Sequence, residues 1–201
     1  MGSAQVGPRF GALVHGILAG IDLNPTSEEI SAVARVHRRL VGATEPKIEA
    51  AVHTVVAALA HPVMRRAASV DASDLLRETP ILLRREDGTL LEGVVDLAFR
   101  EEAADFNGWT IVDFKTDREF GLFRAEYTAQ VAYYAQAIEK ATNSSVSGIF
   151  ARYLRGTKER WLALREDEKS RVSSGAYARL ATGVSRHCKP ACKRPYGASP
   201  I

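Results

Sequence analysis

The sequence is poor in cysteine and has no long apolar run. Its two cysteines, Cys188 and Cys192, lie near the C-terminus, and two thiols cannot build a disulfide-rich secreted scaffold. No apolar segment approaches the ~20 residues that cross a bilayer, and the first residues do not resemble a signal peptide. These absences predict a cytoplasmic protein without a membrane partner.

A nucleotide-binding loop and a strong charge excess are also missing. The pattern Gly-x-x-x-x-Gly-Lys-Ser/Thr does not occur, so the chain is not itself an ATP-driven motor. The net charge is +3 and the pI about 8.9, a balance that permits a polyanionic partner without requiring one. With 46% apolar and 25% charged residues, the composition is that of an ordinary folded domain.

The 201 residues are enough for one domain with a substantial core. We expect a tag or flexible lead over residues 1–9 and a single domain over 10–186, followed by a flexible basic tail over 187–201. Within the domain, the sequence predicts a helical part over 10–70, a catalytic core over 75–164 and a C-terminal helix over 166–186.

Local patterns predict the main elements. Apolar residues recur at helical spacing in the first third of the chain, where Thr26 or Ser27 can cap a helix. Asp87-Gly88 lies between two apolar runs and predicts a β-hairpin. Further strands and a helix from about Ala125 to Lys140 follow. The fold class is therefore α/β (α+β), with a mixed central sheet of about four to five strands flanked by helices.

Three acidic residues stand out because they lie on predicted strands. Glu78 is expected to open the first strand, and Asp96 and Asp113 lie on the second and third. Aspartate is disfavoured in strands, and an unpaired carboxylate among valines and isoleucines costs several kcal/mol. Two such residues in adjacent strands indicate that a cation compensates them.

Lys115 follows Asp113 by two residues, so both side chains share a face of the strand. Carboxylate oxygens hold Mg²⁺ with room for water and phosphate, and an adjacent ammonium can stabilise the charge of a phosphodiester under attack. Taken singly, an Asp-x-Lys is frequent by chance, Asp96 can cap a turn and Glu78 can be a solvated charge. The combination indicates hydrolysis of phosphodiesters.

Five motifs in order carry a family resemblance. They are Gly11–His15, Glu78-Thr79-Pro80, Gly93–Leu97, Val112–Thr116 and Gln130–Tyr134. In these motifs, over about Gly11 to Leu154, the chain resembles the RecB-type branch of the PD-(D/E)XK nucleases. That branch includes AddA-like proteins and the nuclease domains that end UvrD-type helicase–nucleases. The resemblance implies a restriction-endonuclease-like core.

The resemblance also implies roles for individual residues. The implied metal ligands are His15, Asp96, Asp113 and the backbone carbonyl of Phe114. The implied catalytic set is Asp96, Asp113, Lys115, Glu78, Gln130 and Tyr134, in which Gln130 and Tyr134 contact DNA or support Lys115. Mg²⁺ is the implied cofactor, with Mn²⁺ able to substitute. Without the family resemblance, His15 would be interpreted as a core histidine. Gln130 and Tyr134 would be interpreted as part of a half-buried helix face.

Some relatives hold an iron–sulfur cluster through four cysteines, one of them upstream of the core. With Cys188 and Cys192 alone, this chain is not expected to form one. The remaining histidines match no motif and are expected to be structural or surface residues: His37, His53, His61 and His187. Basic residues near the motifs can equally hold a phosphate backbone or form a solvated surface: Arg84, Arg85, Arg118, Arg124, Arg152, Arg155, Lys158 and Arg160.

The leading functional hypothesis is a Mg²⁺-dependent, exonuclease-like deoxyribonuclease that acts in recombination and repair. It would cut single-stranded DNA delivered by a helicase domain of the same parent chain or by a helicase–nuclease partner protein. One alternative is a catalytically silent module that binds DNA or a partner. Another is a stand-alone nuclease that acts on a different nucleic acid. An upstream UvrD-type helicase in the parent gene would favour the leading hypothesis over the stand-alone one.

Overall fold

The computed structural model describes residues 8–84, 88–103, 106–115, 120–153 and 160–163. Its helices are α1 (Pro8–Gly20), α2 (Ser27–Val41), α3 (Glu45–Leu59), α4 (Pro62–Ala67) and α5 (Phe120–Thr142). Its strands are β1 (Leu75–Arg84), β2 (Leu90–Ala103), β3 (Phe106–Lys115), β4 (Val146–Tyr153) and β5 (Arg160–Ala163). The predicted helix over 166–186 and the tail over 187–201 lie outside the described residues.

The first residues of α2 form a capping box. The Thr26 hydroxyl oxygen accepts the Glu29 N–H at 3.2 Å, and the Glu29 carboxylate accepts the Thr26 N–H at 2.7 Å. These hydrogen bonds satisfy two donors that a helix start leaves open. The Thr26 N–H and the Thr26 hydroxyl both donate to the Glu29 carboxylate, which lowers the pKa of that carboxyl. The prediction of a cap at Thr26 or Ser27 is confirmed, with Thr26 as the capping residue.

The strands form one mixed sheet in the order β1-β2-β3-β4-β5. The pairs β1–β2, β2–β3 and β4–β5 are antiparallel, whereas β3 and β4 are parallel. The parallel pair requires a crossover, which α5 provides. The expected hairpin is confirmed by the pairing of Arg84 with Leu90, and its residues 85–87 lie outside the described ranges. The expected α/β fold with a mixed central sheet is therefore confirmed.

Each face of the sheet is covered by its own hydrophobic core. The helical-side core joins residues of α1 to α4 with four sheet residues, Leu97, Phe99, Val112 and Phe114. The α5-side core joins five sheet residues with four helix residues: Val95, Ala98, Trp109, Ile111 and Val146, and Val131, Tyr134, Ala135 and Ile138. The sheet is thus buried between α1–α4 on one side and α5 on the other, as in an α/β sandwich.

In β2 the alternation of side chains is interrupted near Asp96. Val95 and Ala98 both belong to the α5-side core, although residues three apart in a regular strand face opposite sides. Leu97 and Phe99 face the helical side, as regular alternation from Ala98 requires. The side chains of Val95, Asp96 and Leu97 therefore do not alternate regularly, and two consecutive residues among them point to the same face of the sheet.

The same interruption occurs in β1 at Glu78. Leu76 and Ile81 are five residues apart, yet both pack against the α5-side core. Between them Glu78 has φ 44°, in the left-handed region, which costs a residue with a Cβ about 1–2 kcal/mol. The pairs Arg77–Leu97 and Thr79–Val95 place Glu78 directly across from Asp96. The expectation that Glu78 opens the first strand is wrong, because β1 begins at Leu75 and Glu78 lies inside it.

A close approach of α1 and α2 sets the position of α1 above the sheet. A Cβ on Gly16 would collide with the His37 ring, and a Cβ on Gly20 would lie 3.5 Å from its Nε2. Burial in this contact lowers the pKa of His37. In the described part of the chain, no helix combines the length and the apolar character needed to span a bilayer.

The backbone of Glu78 yields a testable prediction. Glu78→Gly is expected to be more stable than Glu78→Ala by about 1 kcal/mol, because glycine adopts positive φ without strain. Both variants lose the carboxylate, so the difference between their free energies of unfolding reports the effect of the backbone conformation alone. Chemical unfolding of the two proteins measures it.

Thr79 supplies the matched control in the same strand. It has no positive φ, so Thr79→Gly should be less stable than Thr79→Ala by about 0.5–1 kcal/mol. If the glycine and alanine variants had the same order of stability at positions 78 and 79, the left-handed conformation of Glu78 would be contradicted.

Candidate active site

His15, Glu78 and Asp96 converge on the helical side of the sheet. One ligand atom from each lies within 4.8 Å of the other two, and His15 Nδ1 is 3.6 Å from Asp96 Oδ1. The interruptions in β1 and β2 turn both carboxylates toward α1, which carries His15. We call these residues the three-residue cluster.

Asp96 is held in place by the neighbouring strand. Its Oδ2 accepts the backbone N–H of Phe114 at 2.8 Å, just beyond the point where the β2–β3 pairing ends at Leu97–Val112. The carboxylate therefore takes the place of a main-chain acceptor. In a strand the N–H and C=O of one residue point to the same edge, so the Phe114 carbonyl also faces the Asp96 side.

The donor set of the cluster fits a divalent cation. Two carboxylates that face each other repel, and a cation between them removes that repulsion. Carboxylate oxygens together with one imidazole nitrogen are ligands that Mg²⁺, Mn²⁺ and related ions accept. The His15 ring meets the Phe114 ring edge-on, with centroids 6.3 Å apart, a contact that helps to fix its orientation. The three-residue cluster is a possible metal site.

Asp113 and Lys115 lie on the opposite face, toward α5. They follow Ile111 of the α5-side core by two and four residues, and both are nearly fully buried, with 2% and 5% of their surfaces exposed. Lys115 Nζ is 2.6 Å from Asp113 Oδ2. Burying two charges is tolerated because they form an ion pair with further hydrogen bonds.

A chain of hydrogen bonds extends this ion pair into α5. Lys115 Nζ donates to Gln130 Oε1 at 2.9 Å, and Gln130 Nε2 donates to the Tyr134 hydroxyl oxygen at 2.6 Å. Gln130 and Tyr134 are four residues apart, so they lie on one face of the helix. The amide of Gln130 thus fixes the lysine ammonium while Tyr134 fixes the amide.

The structure places the residues predicted from the sequence in two groups. His15, Glu78 and Asp96 form the three-residue cluster, whereas Asp113, Lys115, Gln130 and Tyr134 form the buried chain. Asp113 is not a member of the cluster among the residues that the structure describes. The two groups meet at the sheet itself, where Asp96 contacts the backbone of Phe114, the residue between Asp113 and Lys115.

Sequence reasoning missed one residue beside the cluster, Arg77. Its guanidinium donates to the Leu18 carbonyl in the last turn of α1, and burial lowers its pKa while nearby Asp22 and Glu78 oppose that shift. The contact ties α1 to β1 one residue before Glu78. The available signal was a second charged residue, Arg77, directly before Glu78 in a mostly apolar strand.

The remaining expectations concern histidines and basic residues. His61 caps α4, since its Nδ1 accepts the Val63 N–H at 3.2 Å, and His53 is exposed. Arg84 is exposed at the end of β1. The side chains of the other basic residues named above, and His187, lie outside the part of the chain that the structure describes.

Comparison with known proteins agrees with this fold. A family model described as the PD-(D/E)XK nuclease superfamily matches residues 2–192. A protein of two strains of Clostridium kluyveri, described as a subunit of an ATP-dependent helicase/nuclease, is 29% identical over 79 residues. These residues are 38% of this chain and 6% of that protein. The present chain therefore spans only a small part of that relative's length.

A solved structure supports the fold independently. The crystal structure of a candidate exonuclease from Eubacterium rectale matches with a TM-score of 0.50 and 12% identity. The match covers 98% of this chain and 78% of that one. Since the family model covers nearly the whole sequence, this chain belongs to the PD-(D/E)XK nuclease superfamily.

Proposed function

We propose that this chain is a metal-dependent deoxyribonuclease that hydrolyses phosphodiesters of single-stranded DNA in an exonuclease-like manner. The observation that carries the proposal is the placement of the three-residue cluster and the buried Lys115 on two sides of one strand segment, Asp113-Phe114-Lys115. We propose that the metal site and the lysine act on the same phosphate.

The proposed metal ligands are His15, Asp96, Asp113 and the Phe114 carbonyl, with Glu78 beside them. Asp113 is the one proposed ligand whose side chain lies toward α5 rather than in the three-residue cluster. Mg²⁺ is the proposed ion, and Mn²⁺ should substitute because it accepts the same donors. A divalent cation bound there would supply Lewis acidity, lowering the pKa of water and offsetting phosphate charge. The Phe114 N–H supports this role of Asp96, because it holds Oδ2 and leaves Oδ1 on the His15 side.

Lys115 is the proposed electrostatic catalyst. Its ammonium lies in a nearly dry environment, where interactions with a developing negative charge are stronger than in water. Gln130 restricts the lysine to one position, so little reorganisation is required when the phosphate charge grows. Asp113 balances the ammonium before substrate arrives, which explains why a charged lysine is stable in the sheet interior.

The proposed source of substrate is a helicase. The partial match to a helicase/nuclease protein supports a role in recombination or repair, with the helicase in the same parent chain or in a partner protein. We propose residues 10–186 as the nuclease domain, since the helical-side core joins α1–α4 to the sheet. The proposed location is the cytoplasm, where such a domain would meet DNA.

The first test concerns metal binding. Mg²⁺ or Mn²⁺ at 100 times its Kd should stabilise the wild-type chain by about 2.7 kcal/mol, because only the native state binds the ion. Asp96→Asn should lose most of this shift, while the exposed Asp71→Asn should retain it. Thermal unfolding with and without metal measures the effect. An equal shift in Asp96→Asn and wild type would contradict the proposed site.

The second test concerns the lysine support, and two adjacent tyrosines provide a matched pair. Tyr134→Phe should lower kcat roughly tenfold, because Gln130 loses one hydrogen bond. Tyr133→Phe should leave kcat within about twofold, because the Tyr133 hydroxyl is buried without a hydrogen-bond partner among the described residues. Steady-state cleavage of a labelled oligonucleotide compares them. Equal losses in the two variants would remove Gln130 and Tyr134 from the proposed mechanism.

The third test concerns the substrate. Cleavage should require Mg²⁺ or Mn²⁺, proceed without ATP, favour single-stranded over blunt duplex DNA, and fall steeply with salt because phosphate contacts dominate binding. A titration of both metals on matched single strands, duplexes and RNA measures these preferences. Faster cutting of duplex or RNA would favour the stand-alone nuclease, and no cutting with retained DNA binding would favour a silent module.

A further inference from the structure

Gly93 lies in β2 three residues before Asp96, at a position where a larger residue would be expected. Its φ is not in the left-handed region, so the backbone does not require glycine. A glycine inside a strand costs roughly 0.5–1 kcal/mol relative to alanine, and it often marks a close approach of another group. The neighbouring group here is Tyr134.

The ring of Tyr134 occupies the space that a Cβ of residue 93 would need. Such a Cβ would lie 2.7 Å from Tyr134 Cε1, 3.4 Å from Cζ and 3.3 Å from the hydroxyl oxygen. Favourable carbon contacts lie at about 3.5–4.0 Å, so the ring would have to move by roughly 1 Å. Gly93 is thus in contact with the part of the ring that carries the hydroxyl group.

The Tyr134 hydroxyl belongs to the chain of hydrogen bonds that fixes Lys115. It accepts from Gln130 Nε2 at 2.6 Å, and Gln130 Oε1 in turn accepts from Lys115 Nζ at 2.9 Å. The ring is buried in the α5-side core with Val131, Ala135 and Ile138, so it cannot shift freely into solvent. A displaced ring therefore moves its hydroxyl away from Gln130.

We infer that Gly93 is a positioning residue for the nuclease reaction: its missing side chain lets Tyr134 reach Gln130 and thereby sets the position of Lys115. The inference rests on the proposed function, because it assigns Lys115 to the reaction. Gly93 itself touches neither metal nor substrate in this scheme. Its effect reaches the reacting atoms through three side chains, all on the α5 side of the sheet.

Gly93→Ala in the full chain is the test. A displacement of about 1 Å at a catalytic group costs up to ~10²-fold in rate, so kcat should fall by about 10- to 100-fold. KM for single-stranded DNA should stay within about twofold. The Mg²⁺ midpoint should change less than kcat does, because His15 and Asp96 lie on the other face and Asp113 is the one proposed ligand on the α5 side. A shifted strand would instead move Asp96, and a large change in the Mg²⁺ midpoint with unchanged kcat would overturn the inference.

A double-mutant cycle separates the ring contact from a general structural effect. In a Tyr134→Ala background the space beside residue 93 is empty, so adding Gly93→Ala should change kcat by less than about twofold. Tyr134→Leu, which also lacks the clashing ring atoms, serves if Tyr134→Ala does not fold. A loss of kcat as large in either background as in the wild type would contradict the proposed contact.

The same double-mutant cycle can be measured by thermal unfolding, which does not depend on catalysis. Gly93→Ala should lower the Tm by about 3–8 °C in the wild type, as expected for overpacking, and should leave it unchanged or raise it in the Tyr134→Ala or Tyr134→Leu background. If the wild-type chain cleaves no nucleic acid with Mg²⁺ or Mn²⁺, the proposed function fails while this cycle still tests the contact. Equal Tm shifts in both backgrounds would overturn the contact itself.

Discussion

Two opposite charges buried in the middle of an apolar sheet impose the constraint that organises this fold. Asp113 and Lys115 are almost inaccessible to water, and either charge without its partner would cost several kcal/mol. Their surroundings must therefore supply polar groups at fixed positions. α5 meets this need with Gln130 and Tyr134, and the helix can pack this closely because β2 presents no side chain at residue 93.

The sheet separates two kinds of chemistry. On the helical side, an imidazole and two carboxylates converge beneath α1, which is positioned by the Gly16–His37 contact and by Arg77. On the α5 side, a charged lysine is stabilised in a low-dielectric environment. Each face of the sheet is packed by its own hydrophobic core, so the two groups of polar residues have separate surroundings.

Much of this architecture could be predicted from the sequence because it follows from short-range rules. The helical spacing of apolar residues and a cap at Thr26 or Ser27 indicated the helices, and Asp87-Gly88 indicated the hairpin. Carboxylates in apolar strands marked Asp96 and Asp113. The position of Glu78 within β1 could not be predicted, because a left-handed glutamate contradicts ordinary backbone preference. The role of Arg77 was also hidden, since it depends on a carbonyl 59 residues away in sequence.

Folding order follows from the connection between β3 and β4. Strands β1, β2 and β3 pair with their sequence neighbours, so their contacts are local and can form early. The parallel pairing of β4 must wait for the whole of α5, which also carries the support for Lys115. The three-residue cluster, carried by α1, β1 and β2, can therefore form before the crossover helix docks, whereas Lys115 becomes anchored only after α5 has packed on the sheet.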